Sequence, residues 1–481
     1  MGKTKIIILL FILVSLISAS QGFWLDEAIG VVAVHKFSYS EIITKFMLAD
    51  NHPPFYYLIL KFWINIFGAS EFAVRSLSIT AGALTIHAAY LVATELSKRT
   101  TSKQAGVLTA LLLASSQFFV YYSQEARMYI FTALFATLSV YFFIKALDKN
   151  RGKYWFMFSV SLAALMFTDY VPVFMLPVFW IYMFFARKIS NNIWKPFLLS
   201  HGVLLLFGVF WLPMFLKQIE SGKWLLANFD TWRTVAGGAN LKQILLVWMK
   251  FTSGRISFYP KIIYYSYVSA ASIPFVVVFL SFIRKTKKNL LLSLWFVLPV
   301  LIGFVTSTFF PAFIYFRFIF VLPALAVVVS ITAINYKKTL KTIVITWIVI
   351  FNILSITIYS VDANQQREQW IEALKYVENI DKNSVVLFEF PKPFAPVEWY
   401  GKDASHMHGA TNSIYADRDE TKDRTKNLIV DKQYVYHFDY LRDLSDPNRY
   451  VEDALSINGF IKTGEEARFI GVGKISIWEK E

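Results

Sequence analysis

Long apolar runs without period-two alternation dominate the first three-quarters of the chain and stop at Ser360. They predict eleven membrane spans, at residues 6–22, 74–96, 105–122, 128–146, 154–170, 172–186, 197–216, 263–283, 290–309, 318–335 and 342–360. Several approach or exceed the roughly 18 to 20 residues that cross a bilayer as helix. Within lipid only helices or closed barrels satisfy their own backbone groups, and the lack of alternation selects helices.

Between the first two spans lies a polar loop, residues 23–73. In it Phe55, Tyr56, Tyr57, Leu58, Leu60, Phe62, Trp63 and Phe67 make an aromatic stretch too short to span and interrupted by Lys61 and Asn65. That pattern predicts a helix lying along the membrane surface. Gly68 stops it, and Ser70 with Glu71 opens the second span as an N-cap and acidic first turn.

Beyond Ser360 the pattern changes. Polar residues 362–367 lead into a helical repeat at Trp370, Ile371, Leu374 and Val377. Ser384–Phe390 reads as a buried strand, Phe394–Tyr400 as a short helix, and Ile429–Phe438 and Phe469–Trp478 as further strands. The expected fold class is thus a polytopic α-helical membrane protein of about eleven transmembrane helices, with a C-terminal extracytoplasmic α/β domain. The domains are 1–360, including the first extracytoplasmic loop 23–73, and 361–481.

Composition agrees, with 56% hydrophobic and 18% aromatic residues over 481 positions, more than a soluble core needs. Cysteine is absent, which excludes disulfides, thiolate nucleophiles and Cys-ligated metals. Every second connection is basic, from Lys3 and Lys5 through Lys98, Arg99 and Lys103 to Lys337, Lys338 and Lys341; the six together hold nineteen Lys/Arg and one acid, Asp148. By the positive-inside rule they face the cytoplasm. Asp26, Glu27, Glu41, Asp50, Glu71, Glu125, Asp169, Glu220 and Asp230 fall on or near the other face.

The predicted location is the cell membrane, multi-pass, with a cytoplasmic N-terminus and an extracytoplasmic C-terminal domain. Ser18-Ala19-Ser20 after the first apolar run also imitates a signal-peptide cleavage site, but a retained first span is the reading adopted. The net charge of +15 divides into +21 for residues 1–360 (32 basic, 11 acidic) and −6 beyond (16 basic, 22 acidic). Orientation accounts for the excess, and no nucleic-acid module is present.

Three constellations on the extracytoplasmic side carry the chemistry. In Trp24-Leu25-Asp26-Glu27, adjacent carboxylates at a membrane surface are suited to proton abstraction from an attacking hydroxyl; the same acids would also favour a helix N-terminus. In Asn51-His52-Pro53-Pro54-Phe55-Tyr56-Tyr57, paired prolines stiffen the chain and present His52, either to a phosphate or to interfacial water. In Ser123-Gln124-Glu125-Ala126-Arg127-Met128-Tyr129, the Arg127 guanidinium is suited to a bidentate grip on a lipid-linked phosphate, or to snorkelling. Arg75, Lys261 and Arg317, in Tyr315-Phe316-Arg317-Phe318, are further candidates for the same task.

The order of these motifs, with Glu71 to Arg75 between the second and third, resembles the family 39 glycosyltransferases. These are the protein O-mannosyltransferases and their prokaryotic relatives, which have the C-type glycosyltransferase fold. The resemblance is closest over residues 20–150. It implies a polyprenyl-phosphate sugar donor, the sugar being mannose or another hexose, an extracytoplasmic acceptor (protein, lipid or glycan), and single displacement with inversion. On it Asp26 is the catalytic base and Glu27 assists. His52 and Arg127, with Arg317 and Arg75, bind the donor phosphate, while Glu125, Trp24 and Tyr56 contact acceptor or sugar.

No organic cofactor is implied. Relatives that modify lipid A with aminoarabinose typically carry Glu-Lys-Pro-Pro where this chain has Asn51-His52-Pro53-Pro54, which argues against that substrate and leaves dependence on a divalent metal open. No His/Asp/Glu cluster with metal-ligand spacing replaces the missing acid. The alternatives from other classes are a transporter or flippase of lipid-linked sugars and a non-catalytic binder of them. Transport favours internal repeats and mid-membrane ionisable residues, which the sequence does not show.

Overall fold

The computed structural model describes residues 2–186, 191–228, 236–284, 289–378, 380–381, 383–389, 395–402 and 404–481. Asp230, Phe390 and Phe394, named above, and Arg187, Lys188, Lys285, Lys287 and Lys288, which belong to two of the six basic connections, lie outside the described residues. The chain forms two compact units, one containing residues 2–19, 37–228 and 236–361, the other residues 20–36 and 362–481. The first loop, read from sequence as one segment of the membrane domain, is therefore divided. Its first part, with the helix Leu25–Lys36, packs in the second unit, because Leu25 joins the same apolar core as Trp370, Leu374 and Phe438.

The first unit is helical. Among the described residues six helices are long and apolar enough to cross a membrane: Glu71–Leu96, Tyr129–Lys149, Asn191–Asn228, Lys261–Ile283, Tyr315–Ala333 and Lys338–Val361. A seventh results if Ser102–Ser115 and Gln117–Ser123, bent by 68°, form one span. The eleven predicted spans exceed this number because several apolar runs are broken or short as helices. The first is the 15-residue helix Gly2–Leu16, and the run at 154–170 is the 15-residue helix Gly152–Met166. The run at 172–186 begins as the 3-10 turn Val171–Met175 before the helix Leu176–Phe185, with a proline near the start of each piece. Proline suits a first helical turn but removes an interior hydrogen bond, so these runs restart instead of continuing.

The aromatic stretch is the helix Phe55–Phe67, ended by Gly68 at φ 82°. That left-handed conformation is cheap only for glycine. Ser70 caps the next helix, its hydroxyl accepting from the Ala73 N–H at 3.3 Å.

The second unit holds a five-stranded sheet of β1 (Ser384–Phe388), β2 (Met407–Gly409), β3 (Tyr434–Phe438), β4 (Phe460–Glu466) and β5 (Ile475–Lys480), in the order β2-β1-β3-β5-β4. β1 runs parallel to β2 and β3, with Val386 opposite both Met407 and Tyr436, while β5 is antiparallel to β3 and β4. Alternation along β1 sends Val386 and Phe388 to one core, with Trp370, Leu374 and Ile475. It sends Val385 and Leu387 to the other, with Val451, Leu455 and Trp478. Of the predicted strand Ile429–Phe438 only Tyr434–Phe438 is extended, because Ile429 closes the polar helix Arg418–Leu428. The predicted strand Phe469–Trp478 begins only at Ile475, after Gly471 and Gly473 at positive φ.

Candidate functional site

The acidic motif opens the helix Leu25–Lys36, with Asp26 and Glu27 in its first turn. Exposed N–H groups and the helix dipole favour negative charge there. Glu27 is fully buried and its Oε2 accepts the Trp24 N–H at 3.3 Å. Asp26 is half-buried, and the Trp24 indole Nε1 is buried without a hydrogen-bond partner among the described residues.

The Leu25 N–H is taken by Glu368 Oε2 at 3.1 Å, from the far end of the chain. The same carboxylate accepts from Trp370 Nε1 at 2.7 Å and the Tyr440 hydroxyl at 2.9 Å. Burial raises the Glu368 pKa, these three donors oppose the rise, and the charge of Asp26 adds to it.

A second constellation lies within the first unit, around Asp50. One of its oxygens meets His52 Nδ1 and the other accepts the Tyr57 hydroxyl at 2.5 Å. Arg127, 5% exposed, donates from Nη1 to the Tyr57 oxygen at 3.0 Å. Burial would raise the Asp50 pKa, but His52 and Arg127, with the Tyr57 hydrogen bond, hold it well below the usual carboxylate range. Burial likewise pushes the Tyr57 hydroxyl well above its ordinary value.

The backbone of this turn is pinned by Gln218, whose Nε2 donates to the carbonyls of Met47 and Asp50 at 2.7 Å and of His52 at 3.1 Å. Gln218 Oε1 in turn accepts the Tyr170 hydroxyl at 2.5 Å. The structure thus brings two predicted residues, His52 and Arg127, together through Asp50 and Tyr57, which the sequence analysis named but gave no site role. The only sequence signal was an acid two residues before the histidine.

The other predicted residues are more dispersed. Tyr56 is 1% exposed, its ring 5.3 Å from that of Tyr57 and 5.5 Å from Phe131. Glu125, 2% exposed, sits in the turn after the helix Gln117–Ser123. Arg75 is fully buried in its helix and donates to the Ala19 carbonyl at 3.2 Å. Arg317 occupies the 3-10 turn Tyr315–Val321, its Nε buried and without a hydrogen-bond partner among the described residues. Its neighbour Phe316 packs on Tyr129 at 4.9 Å, the residue whose ring lies 5.9 Å from the Arg127 guanidinium.

A third group was missed by the sequence reading except for Lys261. Lys250, 8% exposed near the end of the helix Leu241–Ser253, donates to the Ile256 carbonyl at 2.8 Å and the Tyr264 hydroxyl at 3.2 Å. Burial, then the charges of Arg255 and Lys261, lower its pKa from 10.5 to about 8. Arg255 lies 4.3 Å over the Tyr121 ring, with its backbone N–H held by Gln117 Oε1 at 2.5 Å. Among the described residues neither Lys250 nor Lys261 forms an ion pair. Lys250 is thus a buried ammonium that also feels the positive charges of Arg255 and Lys261. No group of three or more His, Asp or Glu able to hold a metal occurs among the described residues.

The fold is that of the C-type glycosyltransferases, membrane proteins built on a helical bundle. ArnT from Cupriavidus metallidurans, solved bound to undecaprenyl phosphate, superposes with TM-score 0.59 at 10% identity, covering 99% of this chain and 97% of that one. The Archaeoglobus fulgidus oligosaccharyltransferase, solved tethered to an acceptor peptide, gives 0.55 at 11% identity, covering 99% of this chain and 74% of that one. The oligosaccharyltransferase AglB of the same organism, in complex with an inhibitory peptide and a dolichol-phosphate, gives 0.52 at 12% identity, covering 95% and 72%.

Residues 51–212 match the family model described as dolichyl-phosphate-mannose-protein mannosyltransferase, so the resemblance to the family 39 glycosyltransferases holds over that stretch. No curated protein matches the chain.

Proposed function

We propose that the protein is an inverting membrane glycosyltransferase that moves a sugar, mannose or another hexose, from a polyprenyl-phosphate donor to an extracytoplasmic hydroxyl or amine on a protein, lipid or glycan. The observation that carries this reading is the cationic group of Lys250, Arg255 and Lys261, in which neither lysine has a carboxylate partner among the described residues and whose charge is of the sign a phosphate needs. The ligands of the structural neighbours, undecaprenyl phosphate and dolichol-phosphate, are of the same chemistry.

In the reaction the acceptor oxygen or nitrogen forms a bond to the anomeric carbon as the bond from that carbon to the phosphate oxygen breaks. The acceptor's proton passes to Asp26, and the polyprenyl phosphate leaves with the bonding electrons. Negative charge grows on the phosphate, so preorganised cations there act mainly on the transition state. His52, clamped by Asp50, and Arg127, tied to Tyr57, add donors for the phosphate, with Arg317 in reserve. Glu27 holds the backbone before Asp26, and the unpartnered indole N–H of Trp24 offers a hydrogen bond to acceptor or sugar. Divalent-metal dependence is tested by adding a chelator to the same assay.

The test is transfer of radiolabelled sugar from a panel of synthetic polyprenyl-phosphate sugars by wild type and Asp26→Asn in one detergent. Turnover by wild type, with a loss of about a hundredfold or more in the variant, is expected for removal of a general base. Full transfer by a folded Asp26→Asn protein removes Asp26 from the role. Saturable donor binding by both without turnover favours a carrier or binding protein.

A further inference from the structure

The helix that carries Asp26 begins badly on its own. The residue before it, Trp24, has no side-chain acceptor to offer the N–H groups of the first turn, where Ser, Thr, Asp or Asn would normally serve. The missing acceptor comes from 343 residues away, as Glu368 Oε2 takes the Leu25 N–H at 3.1 Å.

The surrounding chain is held at two more points. Gln21 Nε2 donates to Gln366 Oε1 at 3.0 Å, and the Phe23 N–H donates to the Tyr400 hydroxyl at 2.7 Å. Residues 21–25 are thus fastened to the C-terminal part of the chain by three hydrogen bonds, and Leu25 is buried in its core.

Glu368 is itself fixed from three sides. Trp370 Nε1 and the Tyr440 hydroxyl donate to its two oxygens, so the carboxylate is aimed before it meets Leu25. Gly471, at φ +76°, approaches so closely that an added Cβ would lie 2.8 Å from Glu368 Cγ and 3.2 Å from its Cα. Neighbouring backbone closes the frame, with Gln369 N donating to the Ile470 carbonyl at 3.0 Å and Ile470 N to Gln369 Oε1 at 2.9 Å. Burial and the Asp26 charge disfavour the Glu368 carboxylate, and the three hydrogen-bond donors offset that cost.

We propose that Glu368 is a positioning residue of the reaction: by capping the helix at Leu25 it sets where the Asp26 carboxylate stands, which makes the C-terminal domain part of the catalytic machinery. This rests on the reading of Asp26 as the base. Glu368 touches neither sugar nor phosphate; it acts through the helix start.

The experiment uses the full-length protein in detergent and compares wild type, Glu368→Ala, Glu368→Gln, Tyr440→Phe and Asp26→Asn. It reads kcat, KM for the polyprenyl-phosphate sugar, and amide exchange at residues 25–28. Loss of the cap in Glu368→Ala is expected to speed exchange at 25–28 and lower kcat about tenfold or more, since small misplacements of a reacting group are costly. KM for the donor should stay within about twofold, because uniform donor binding is untouched.

Glu368→Gln keeps an acceptor oxygen and should recover much of the lost kcat. Tyr440→Phe, which leaves the carboxylate less firmly aimed, should show a smaller fall of the same kind, and it carries the test if the alanine variant does not fold. Unchanged kcat in Glu368→Ala or Tyr440→Phe, while Asp26→Asn is inactive, overturns the inference and leaves the proposed base standing. A fall in kcat with no change in exchange at 25–28 also overturns it. Full activity of Asp26→Asn instead defeats the reading of the base on which it rests.

Discussion

Replacing Lys250 by Met should stabilise the empty protein or leave it unchanged, while weakening its hold on polyprenyl phosphate. The lowering of the Lys250 pKa from 10.5 to about 8 measures how strongly burial and its cationic neighbours disfavour the charged form. At about 1.4 kcal/mol per unit this is a burden of about 3 kcal/mol on the folded state at neutral pH. Removing the lysine also strips a donor from the Ile256 carbonyl and the Tyr264 hydroxyl, which costs back about 1–3 kcal/mol. The net expectation is a gain of 0 to about 2 kcal/mol.

For an anion about 4 Å from the ammonium, the attraction lost is about 4 kcal/mol at an effective dielectric constant of about 20, before the cost of stripping water from the phosphate. A tenfold to hundredfold loss of affinity is therefore expected, at about 1.4 kcal/mol per factor of ten.

The sign with pH follows from the same shift. Between about pH 8 and 10.5 the unfolded chain carries the proton and the folded one does not, so the contribution of Lys250 makes wild type more stable as pH rises through that window. The variant lacks this contribution. Over the same window wild type should lose affinity for polyprenyl phosphate as Lys250 discharges. The assays are thermal unfolding and undecaprenyl-phosphate binding in one detergent, each from pH 7 to 10. Unchanged binding by Lys250→Met would refute the anion site, and a loss of several kcal/mol of stability would refute the claim that the lysine is held at a cost.

The Asp50 carboxylate is held well below its usual range by His52, Arg127 and Tyr57, so its stabilisation is present above the ordinary carboxylate pKa of about 4 and lost as pH falls through the depressed value. Asp50→Asn should cost about 3–5 kcal/mol, the range for breaking a buried charge network, and should raise KM for the donor; thermal unfolding and steady-state kinetics check both. In the second unit, burial alone would lower the pKa of the fully buried His437, but the Glu389 carboxylate at 2.7 Å, aided by Glu452, outweighs burial and raises it. Its stabilisation is then full below the unfolded pKa of about 6.5 and is lost as pH rises through the folded value. Amide exchange along β3 should therefore quicken on going from pH 6 to alkaline pH, after correction for the intrinsic rate, and His437→Gln should flatten that dependence.

Some of this protein was determined by local sequence. Uniform apolar runs ended by charge place the helices Glu71–Leu96 and Lys338–Val361 to within a few residues, because burial in lipid depends on the length and composition of a single segment. Gly68 and Ser70 mark a helix end and a helix start because capping is settled by neighbouring residues. The order of the motifs around Asp26, His52 and Arg127 pointed to a phosphate-linked sugar only through its resemblance to the family 39 glycosyltransferases. What local pattern did not contain was partnership.

Asp50 reads in sequence as one loop acid among several, and only the return of Tyr57 and Arg127 makes it the centre of a clamp. Lys250 drew no notice in the sequence, and its depressed pKa exists only once burial and two other cations surround it. Glu368, just past the polar stretch 362–367, drew no notice in the sequence, yet it accepts the first N–H of a helix 343 residues earlier in the chain. Desolvation, like-charge repulsion and long-range capping arise between residues that meet only on folding, so tertiary structure decided which of the chain's many charged residues meet one another.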